Sequence, residues 1–313
     1  MTASSFRLGL GVVACALMAG CAPAVVTTFD PPWNPLPRAN DFTVAGIDTV
    51  PDLHGDVNDP QLVVFFAGNQ FMVVRDLVEA FRQAHPEIQR VFVETLPPGV
   101  LARQIEAGEI TIGNMTITHK PDVYAAGQAR MHSMDALFSR TMTYARNRLA
   151  LMVHAGNPKR VTGLTDLGRR SLRVAMPNPA WEGVGQRIEE AYRKAGGEAL
   201  RARVMVAKTE NGTTFLTRIH HRQTPMRILA RQSDVGPVWH TEVAFQKAIG
   251  HPIDGVAIPD AQNVFATYVI GQMRAAPRPD AAAKFYDFMS SQAARDIYAR
   301  YEFLPAEPPP HSH

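Results

Sequence analysis

Residues 62–84 read LVVFFAGNQFMVVRDLVEAFRQA. The first five form a continuous apolar run of strand length, and residues 67–70 then supply a turn. From Val73 to Ala84, apolar residues recur at helical spacing, so this stretch predicts a strand, a loop and a helix in succession. A strand that is apolar at every position is buried on both faces, which is typical of a parallel sheet covered by helices.

The same alternation continues along the chain and predicts the α/β class. Further strands are predicted at residues 91–93, 122–126, 142–153, 172–176, 234–238, 255–258 and 266–270. Helices are predicted at residues 100–107, 164–168, 185–195 and 279–300. Gly108 is expected to end the first of these helices, and Gly196 with Gly197 the third.

The N-terminus has the form of an export signal. Arg7 precedes an apolar segment at residues 8–18 that is too short to span a bilayer. Residues 17–21 read LMAGC and resemble the lipobox of bacterial lipoproteins, in which the cysteine, here Cys21, is lipidated. Cys15 is the other of the two cysteines and lies in the segment to be removed, so the mature protein is expected to hold no disulfide. The alternative is an ordinary secretory signal in which Cys21 is incidental.

The composition and the motifs of the sequence narrow the range of possible functions. The 313 residues are 46% hydrophobic, which suits a globular protein with a sizeable core. The 32 basic and 29 acidic residues give a formal charge of +3 without a basic cluster typical of nucleic-acid binding. The sequence holds no G-x-S-x-G, P-loop, H-E-x-x-H or paired C-x-x-C motif. We therefore expect a binding protein that is not an enzyme and needs no cofactor.

Five short stretches occur in an order that is recognisable together. They are residues 101–108 (LARQIEAG), 121–125 (PDVYA), 146–159 (beginning RNRLAL and ending GNPK), 263–268 (NVFATY) and 301–305 (YEFLP). In this order they resemble the type II periplasmic solute-binding proteins, and within them the molybdate/tungstate-binding family of ABC importers. The resemblance implies a two-lobed Venus-flytrap fold, in which each lobe is a mostly parallel sheet flanked by helices. It also implies two crossing strands, near residues 144–147 and 264–268.

The resemblance divides the chain into segments. These are a signal peptide at residues 1–20, a Pro-rich tether at 21–58, lobe 1 at 59–145 and 266–308, lobe 2 at 146–265, and a tail at 309–313. Within the tether, residues 52–55 are expected to be able to dock on the folded body.

The ligand is implied to lie in the cleft between the lobes, where the family grips an oxyanion with hydroxyl groups and helix N-termini. The serine-bearing loops of the family are replaced here by other residues. The corresponding candidates are Asn69, Gln70, Thr95, Trp181 and Tyr268. His220, His221 and Arg222 form a further cluster that can clamp a carboxylate or an oxyanion. The competing interpretations are a helix cap for Asn69 and a solvated surface loop for residues 220–222.

These observations predict an exported lipoprotein, anchored by Cys21 to a membrane facing the periplasm or the cell exterior. It is expected to act as a monomer, to bind no nucleic acid, and to deliver a molybdate-like oxyanion or an organic anion to an ABC permease and its ATPase. One alternative is a sensor or assembly lipoprotein that kept the fold. Another is a metal or metal-chelate carrier, with His220, His221, His240 and Glu182 as ligands.

Overall fold

The computed structural model describes residues 41–43, 51–112, 115–180, 182–217 and 223–306. Within these ranges the strands are β1 (Asp41–Thr43), β2 (Pro51–Gly55), β3 (Leu62–Phe66), β4 (Val91–Glu94), β5 (Ile110–Ile112), β6 (Met115–Ile117), β7 (Val123–Gly127), β8 (Phe138–His154), β9 (Val174–Met176), β10 (Thr214–Leu216), β11 (Val235–Trp239), β12 (Ile253–Ala257), β13 (Phe265–Met273) and β14 (Leu304–Pro305). The α-helices of the same ranges are α1 (Phe71–Ala84), α2 (Pro98–Ala107), α3 (Gln128–Ser133), α4 (Gly183–Ala202), α5 (Lys208–Glu210), α6 (Gln223–Leu229), α7 (His240–Ala248), α8 (Pro279–Phe288) and α9 (Gln292–Arg300). Short 3-10 turns lie at Gly68–Gln70, Asp135–Leu137 and Leu164–Gly168, and a π-helical turn lies at Arg203–Ala207.

Lobe 1 is built on β3, which pairs in parallel with β4 on one side and β7 on the other. Alternate residues of β3 face opposite cores, as its continuous apolar sequence predicts. Val64 packs in the core that includes Phe81 of α1 and Phe285 of α8. Phe65 packs in the core that includes Leu101 of α2. The sheet is therefore buried on both faces.

Strand β2 extends this sheet by pairing antiparallel with β4. Its last residue, Gly55, has φ +86°, and a Cβ there would lie 2.0 Å from the Val91 carbonyl oxygen. Only glycine fits this close approach. The expected docking of residues 52–55 is thus observed, and the folded body begins before residue 59, inside the segment assigned to the tether.

Lobe 2 is built around β9, which pairs in parallel with β10 and β11. The C-terminal part of β8 joins it, because Leu149, Leu151 and Val153 lie in the same core as α4. Strand β11 and strand β12 both pair antiparallel with this part of β8. A second core lies on the other face, around Met152.

The two lobes are connected through β8 and β13. Residues 138–148 of β8 pair with β13 in lobe 1, and the rest of β8 continues into lobe 2. The pairing is interrupted at Tyr268, where the register skips Tyr144 and leaves it as a bulge. This matches the predicted crossing near residues 144–147 and 264–268, and a bulge at such a point re-aims side chains toward a site.

Several elements differ from the sequence prediction. Helix α4 continues to Ala202 across a break at Gly196 and Gly197, where we predicted its end. The terminal helical region splits into α8 and α9. The sequence analysis also missed β1, β5, β6, β10, β14, α3, α5, α6 and α7. Within the described ranges, none of the helices has the length and apolar character that a membrane span requires.

Candidate functional site

A cavity of about 700 Å³ lies between the lobes. Lobe 1 lines it with the 3-10 turn before α1 and with the first residues of α2 and α3, including Asn69, Gly99 and Gln128. Lobe 2 lines it with the starts of α4 and α7, at Glu182 and Trp239, and β13 supplies residues 265–268. The volume falls within the range of small-molecule binding sites.

Five helices begin at this cavity, and none has a side-chain cap. Helices α1, α2, α3, α4 and α7 all lack a hydrogen bond from an N-cap side chain to their first turn. Away from the cavity, Ser291 caps α9 and accepts from the Ala294 N–H at 3.2 Å, whereas α8 also lacks a side-chain cap. Uncapped N-termini carry partial positive charge and spare N–H donors. Their convergence makes the cavity suited to an anion.

Asn69 and Tyr268 meet at the cavity. The Asn69 Nδ2 donates to the Tyr268 hydroxyl, although both residues are almost fully buried. Burial raises the pKa of Tyr268 above its ordinary value, against the opposing effect of the Asn147 and Asn69 amides. Tyr268 is therefore a neutral hydroxyl at neutral pH. Asn147 in turn donates to the Thr241 hydroxyl of α7 at 2.9 Å, which extends the polar contacts into lobe 2.

Gln70 and Thr95, which we assigned to the ligand, do not line the cavity. The Gln70 Oε1 accepts from the Tyr144 hydroxyl at 2.5 Å and the Tyr298 hydroxyl at 2.9 Å, inside lobe 1. Thr95 is fully buried against β2, where its hydroxyl lies 3.1 Å from the His54 Nε2. Both side chains therefore make their contacts within lobe 1, and neither lies in the described lining of the cavity.

Glu182 stands at the N-cap position of α4 and lines the cavity, although only 5% of it is exposed. Its Oε1 accepts from the Asn178 backbone N–H at 3.1 Å and from the Thr217 hydroxyl. Thr217 follows β10, and its Oγ1 lies 3.0 Å from the same Asn178 backbone nitrogen. The Glu182 carboxylate is thus held by Asn178 and Thr217, and it forms no capping hydrogen bond with the first turn of α4.

Three cationic or titratable side chains of the lining were missed from the sequence: Arg130, His132 and Arg187. Arg130 and His132 lie on α3, a helix of six residues that is too short to show a periodic pattern. Among the described residues, no carboxylate pairs with Arg130, whereas Arg187 lies 3.7 Å from Glu190. The sequence signal for these residues was only their position shortly after a predicted strand or at a helix start.

The remaining candidates are five residues that the structure does not describe and one residue, His240, that it does. Trp181, His220, His221, Arg222 and Cys21 lie outside the described residues. His240 lies in a separate groove, where its Nε2 is 2.6 Å from the Glu302 Oε2. In the described part of the chain, no group of three or more His, Cys, Asp or Glu residues is placed to hold a metal ion.

Replacing Thr217 by valine tests the support of Glu182. We expect Thr217→Val to lower the free energy of unfolding by about 1–3 kcal/mol, because a buried carboxylate oxygen loses a donor. Thr209→Val is the matched control, since the buried Thr209 hydroxyl has no partner among the described residues. Chemical denaturation of both variants measures the difference. Equal stabilities of the two variants would contradict the prediction.

A family model described as "Bacterial extracellular solute-binding protein" matches residues 62–304. The molybdate-binding protein ModA of Mycobacterium tuberculosis is 24% identical over 242 residues, which cover 75% of this chain and 81% of that protein. The periplasmic molybdate-binding protein of Azotobacter vinelandii superposes with a TM-score of 0.64 at 17% identity, covering 79% of this chain and 100% of that one. The sulfate-binding protein SubI from Mycobacterium tuberculosis gives 0.63 at 19% identity, covering 79% and 87%.

These matches confirm the resemblance predicted from the sequence and the two-lobed type II fold. The family match begins at β3 and reaches β14, so it spans both lobes and the cavity between them. The relatives named above are binding proteins for molybdate or sulfate. The chain therefore belongs to the bacterial extracellular solute-binding protein family.

Proposed function

We propose that this protein is the solute-binding lipoprotein of an ABC importer and that it captures a small anion in the cleft between its lobes. The observation that carries the proposal is the convergence of five uncapped helix N-termini on one cavity. Arg130 and Arg187 add two positive charges to the described lining, against one carboxylate, that of Glu182. Dipoles and charges of this kind favour a negatively charged ligand.

The names of the relatives agree with an anionic ligand. ModA and the Azotobacter vinelandii protein are named for molybdate, and SubI for sulfate. In this chain the donors are Asn69, Tyr268 and backbone N–H groups, where the family has serine-bearing loops. The ligand is therefore proposed as a molybdate-like oxyanion or an organic anion, handed to a permease and an ATPase.

The cavity lining supports binding more than catalysis. Ser133 and His132 are adjacent in the lining, a pair that can act as nucleophile and base where they touch. The Ser133 hydroxyl instead donates to the Arg130 carbonyl oxygen at 2.7 Å, within its own helix. We infer that the protein binds its solute without changing it.

Membership of an extracellular family supports a location outside the cytoplasm. The finer proposal, a lipid anchor on Cys21, rests on the sequence of residues 17–21. Growth of the expressing cells with labelled palmitate tests it. Label on the wild-type protein and its loss in Cys21→Ser support the anchor, whereas an unlabelled wild-type protein contradicts it.

Anion binding is tested by thermal unfolding of the mature, acyl-free protein with molybdate, tungstate, sulfate, orthophosphate, glycerol 3-phosphate and glycerate. A ligand present at 100 times its Kd stabilises the folded state by about 2.7 kcal/mol. Small-angle scattering with the same anions measures closure of the lobes. We expect at least one anion to raise the unfolding temperature and compact the protein. If none does either, the proposed function is wrong.

A further inference from the structure

The Tyr268 hydroxyl is held between two side-chain amides at the edge of the cavity. Tyr268 lines the cavity from β13, and its oxygen accepts from the Asn69 Nδ2 of lobe 1. An amide N–H brings its own hydrogen to that contact, so the hydroxyl proton cannot lie on the same side of the oxygen. Because burial raises the pKa of Tyr268, the hydroxyl keeps its proton at neutral pH. The direction of this proton therefore depends on the other groups around the oxygen.

The second amide beside this hydroxyl belongs to Asn147. It lies on β8 opposite Ala266 of β13, whereas Tyr268 lies opposite Ala145. Asn147 and Tyr268 are thus diagonal neighbours on one face of the ladder that β8 and β13 form, a separation that long side chains bridge. Only 1% of Asn147 is exposed, and it is not part of the described cavity lining. Any effect of Asn147 on a ligand therefore passes through another side chain.

The neighbours of Asn147 fix the orientation of its amide. The Asn147 Oδ1 accepts from the Arg148 backbone N–H at 2.9 Å, and its Nδ2 donates to the hydroxyl of the buried Thr241 at 2.9 Å. The group that Asn147 presents to Tyr268 is therefore the second N–H of the same nitrogen. Burial has the largest effect on the pKa of Tyr268 and raises it, and the hydrogen bond from Asn147 is the first effect that opposes this increase.

Two amide donors leave the Tyr268 proton only the remaining side of the oxygen. Among the described residues, the Tyr268 hydroxyl donates to no acceptor. The buried Glu242 raises the pKa of Tyr268 through its charge, but it forms no hydrogen bond with the hydroxyl. The cavity that Tyr268 lines is where an oxygen of a bound anion can accept this proton.

Resting on the proposed function, we infer that Asn147 is a positioning residue for anion binding. Together with Asn69, it turns the Tyr268 hydroxyl so that its proton points into the cavity and is donated to an oxygen of the anion. Asn147 acts through Tyr268 and does not touch the ligand. A donor that is already oriented loses less conformational freedom on binding, so its hydrogen bond contributes more to affinity.

A double-mutant cycle between Asn147→Leu and Tyr268→Phe tests this role. Isothermal titration calorimetry of the mature, acyl-free protein measures the affinities for molybdate, tungstate, sulfate, orthophosphate, glycerol 3-phosphate and glycerate. We expect Tyr268→Phe to weaken binding about tenfold or more, because a hydrogen bond to a charged ligand is lost. Asn147→Leu should weaken binding about three- to tenfold in the wild-type background and less than about twofold in the Tyr268→Phe background. A side chain that only supported the fold would have the same effect in both backgrounds.

Asn263→Leu is the matched control for the loss of a buried amide. Asn263 lies just before β13 and is buried to the same extent as Asn147, but it bonds to the backbone of Leu149 instead of Tyr268. Whatever change in affinity Asn263→Leu causes, it should be the same factor with and without the Tyr268 hydroxyl.

Asn147→Asp is the second variant and decides the test if Asn147→Leu fails to fold. The aspartate keeps an oxygen for the Arg148 N–H and places another oxygen where the N–H facing Tyr268 was. That oxygen would accept the Tyr268 proton and turn it away from the cavity. The added negative charge repels an anion in both backgrounds, so only the part of the loss that acts through the hydroxyl disappears in Tyr268→Phe.

The outcomes distinguish this inference from the proposed function. Equal losses of affinity in the two backgrounds, or no loss in a folded Asn147 variant, overturn the role of Asn147 and leave the anion-binding function standing. Wild-type affinity in Tyr268→Phe overturns it as well, whether or not the Asn147 variants fold. If the wild type binds no anion of the set, the proposed function itself fails, and this inference with it.

Discussion

Raising the pH from 5 to 7.5 is expected to increase the free energy of unfolding of Glu94→Gln relative to that of the wild type by about 3 kcal/mol. Glu94 ends β4 in lobe 1 and is completely buried. Its Oε1 accepts from the Gln104 Nε2 at 2.9 Å, and no partner for its Oε2 lies within the described residues. Burial raises the pKa of this carboxyl to about 8 from an ordinary value of 4.5.

The direction of the pH effect follows from proton binding. Between pH 4.5 and pH 8 the folded protein keeps the proton on Glu94, whereas the unfolded chain releases it. The unfolded state therefore binds fewer protons, so the contribution of Glu94 to stability is fully present below pH 4.5 and declines as the pH rises toward 8. Glutamine does not titrate, and it preserves the contact with Gln104.

Denaturant unfolding at the two pH values measures this effect. The exposed Glu106 of α2 provides the control, since Glu106→Gln makes the same chemical change in solvent. It should shift stability by less than about 0.5 kcal/mol at either pH. A parallel pH dependence of Glu94→Gln and the wild type would show that Glu94 is not protonated in the folded state.

The sequence predicted the central strands because both of their faces are buried. For β3 the apolar run at residues 62–66 gave the strand with its observed bounds. The end of α4 was predicted wrongly: Gly197 has φ +65° and breaks the helix, but Leu200 beyond it packs into the core of lobe 2 and the helix resumes. Packing of distant residues thus overrides a local stop signal. The pair β5 and β6 was missed, although residues 110–117 read ITIGNMTI, in which apolar residues flank a threonine on each side of Gly113 and Asn114.

The sequence predicted only part of the site. It indicates where a residue lies relative to a strand, but not the direction in which its side chain points. Asn69 was chosen because it follows a strand and precedes a helix, and Tyr268 because it lies at a strand end beside the expected cleft. The two side chains do meet at the cavity. Gln70 follows Asn69 directly, yet its side chain enters the lobe 1 core toward Tyr144. That direction depends on the bulge at Tyr144 in β8, 74 residues away in sequence. A contact between residues so far apart in the sequence produces no local sequence pattern.

Arg130→Gln is expected to weaken anion binding about 10- to 100-fold while leaving the fold intact. Hydrogen bonds to charged groups contribute about 1.5–3 kcal/mol, and Arg130 is the lining cation on the lobe 1 side of the cavity in the described residues. Its guanidinium forms no ion pair with a described carboxylate, so removing it leaves no buried charge unpaired. The free energy of unfolding should change by less than about 0.5 kcal/mol.

Arg103→Gln separates a local contact from a general effect of charge. Arg103 is exposed on α2 and is absent from the cavity lining, so its replacement removes the same charge from the same lobe. Titration of both variants with each anion that binds the wild type, at low and at physiological salt, gives the comparison. A loss of affinity confined to Arg130→Gln and preserved at physiological salt means direct contact, because long-range attraction is screened beyond about 8 Å. Equal losses in the two variants would instead assign the effect to the overall electrostatic field, and the anion would then be held by the helix N-termini without Arg130.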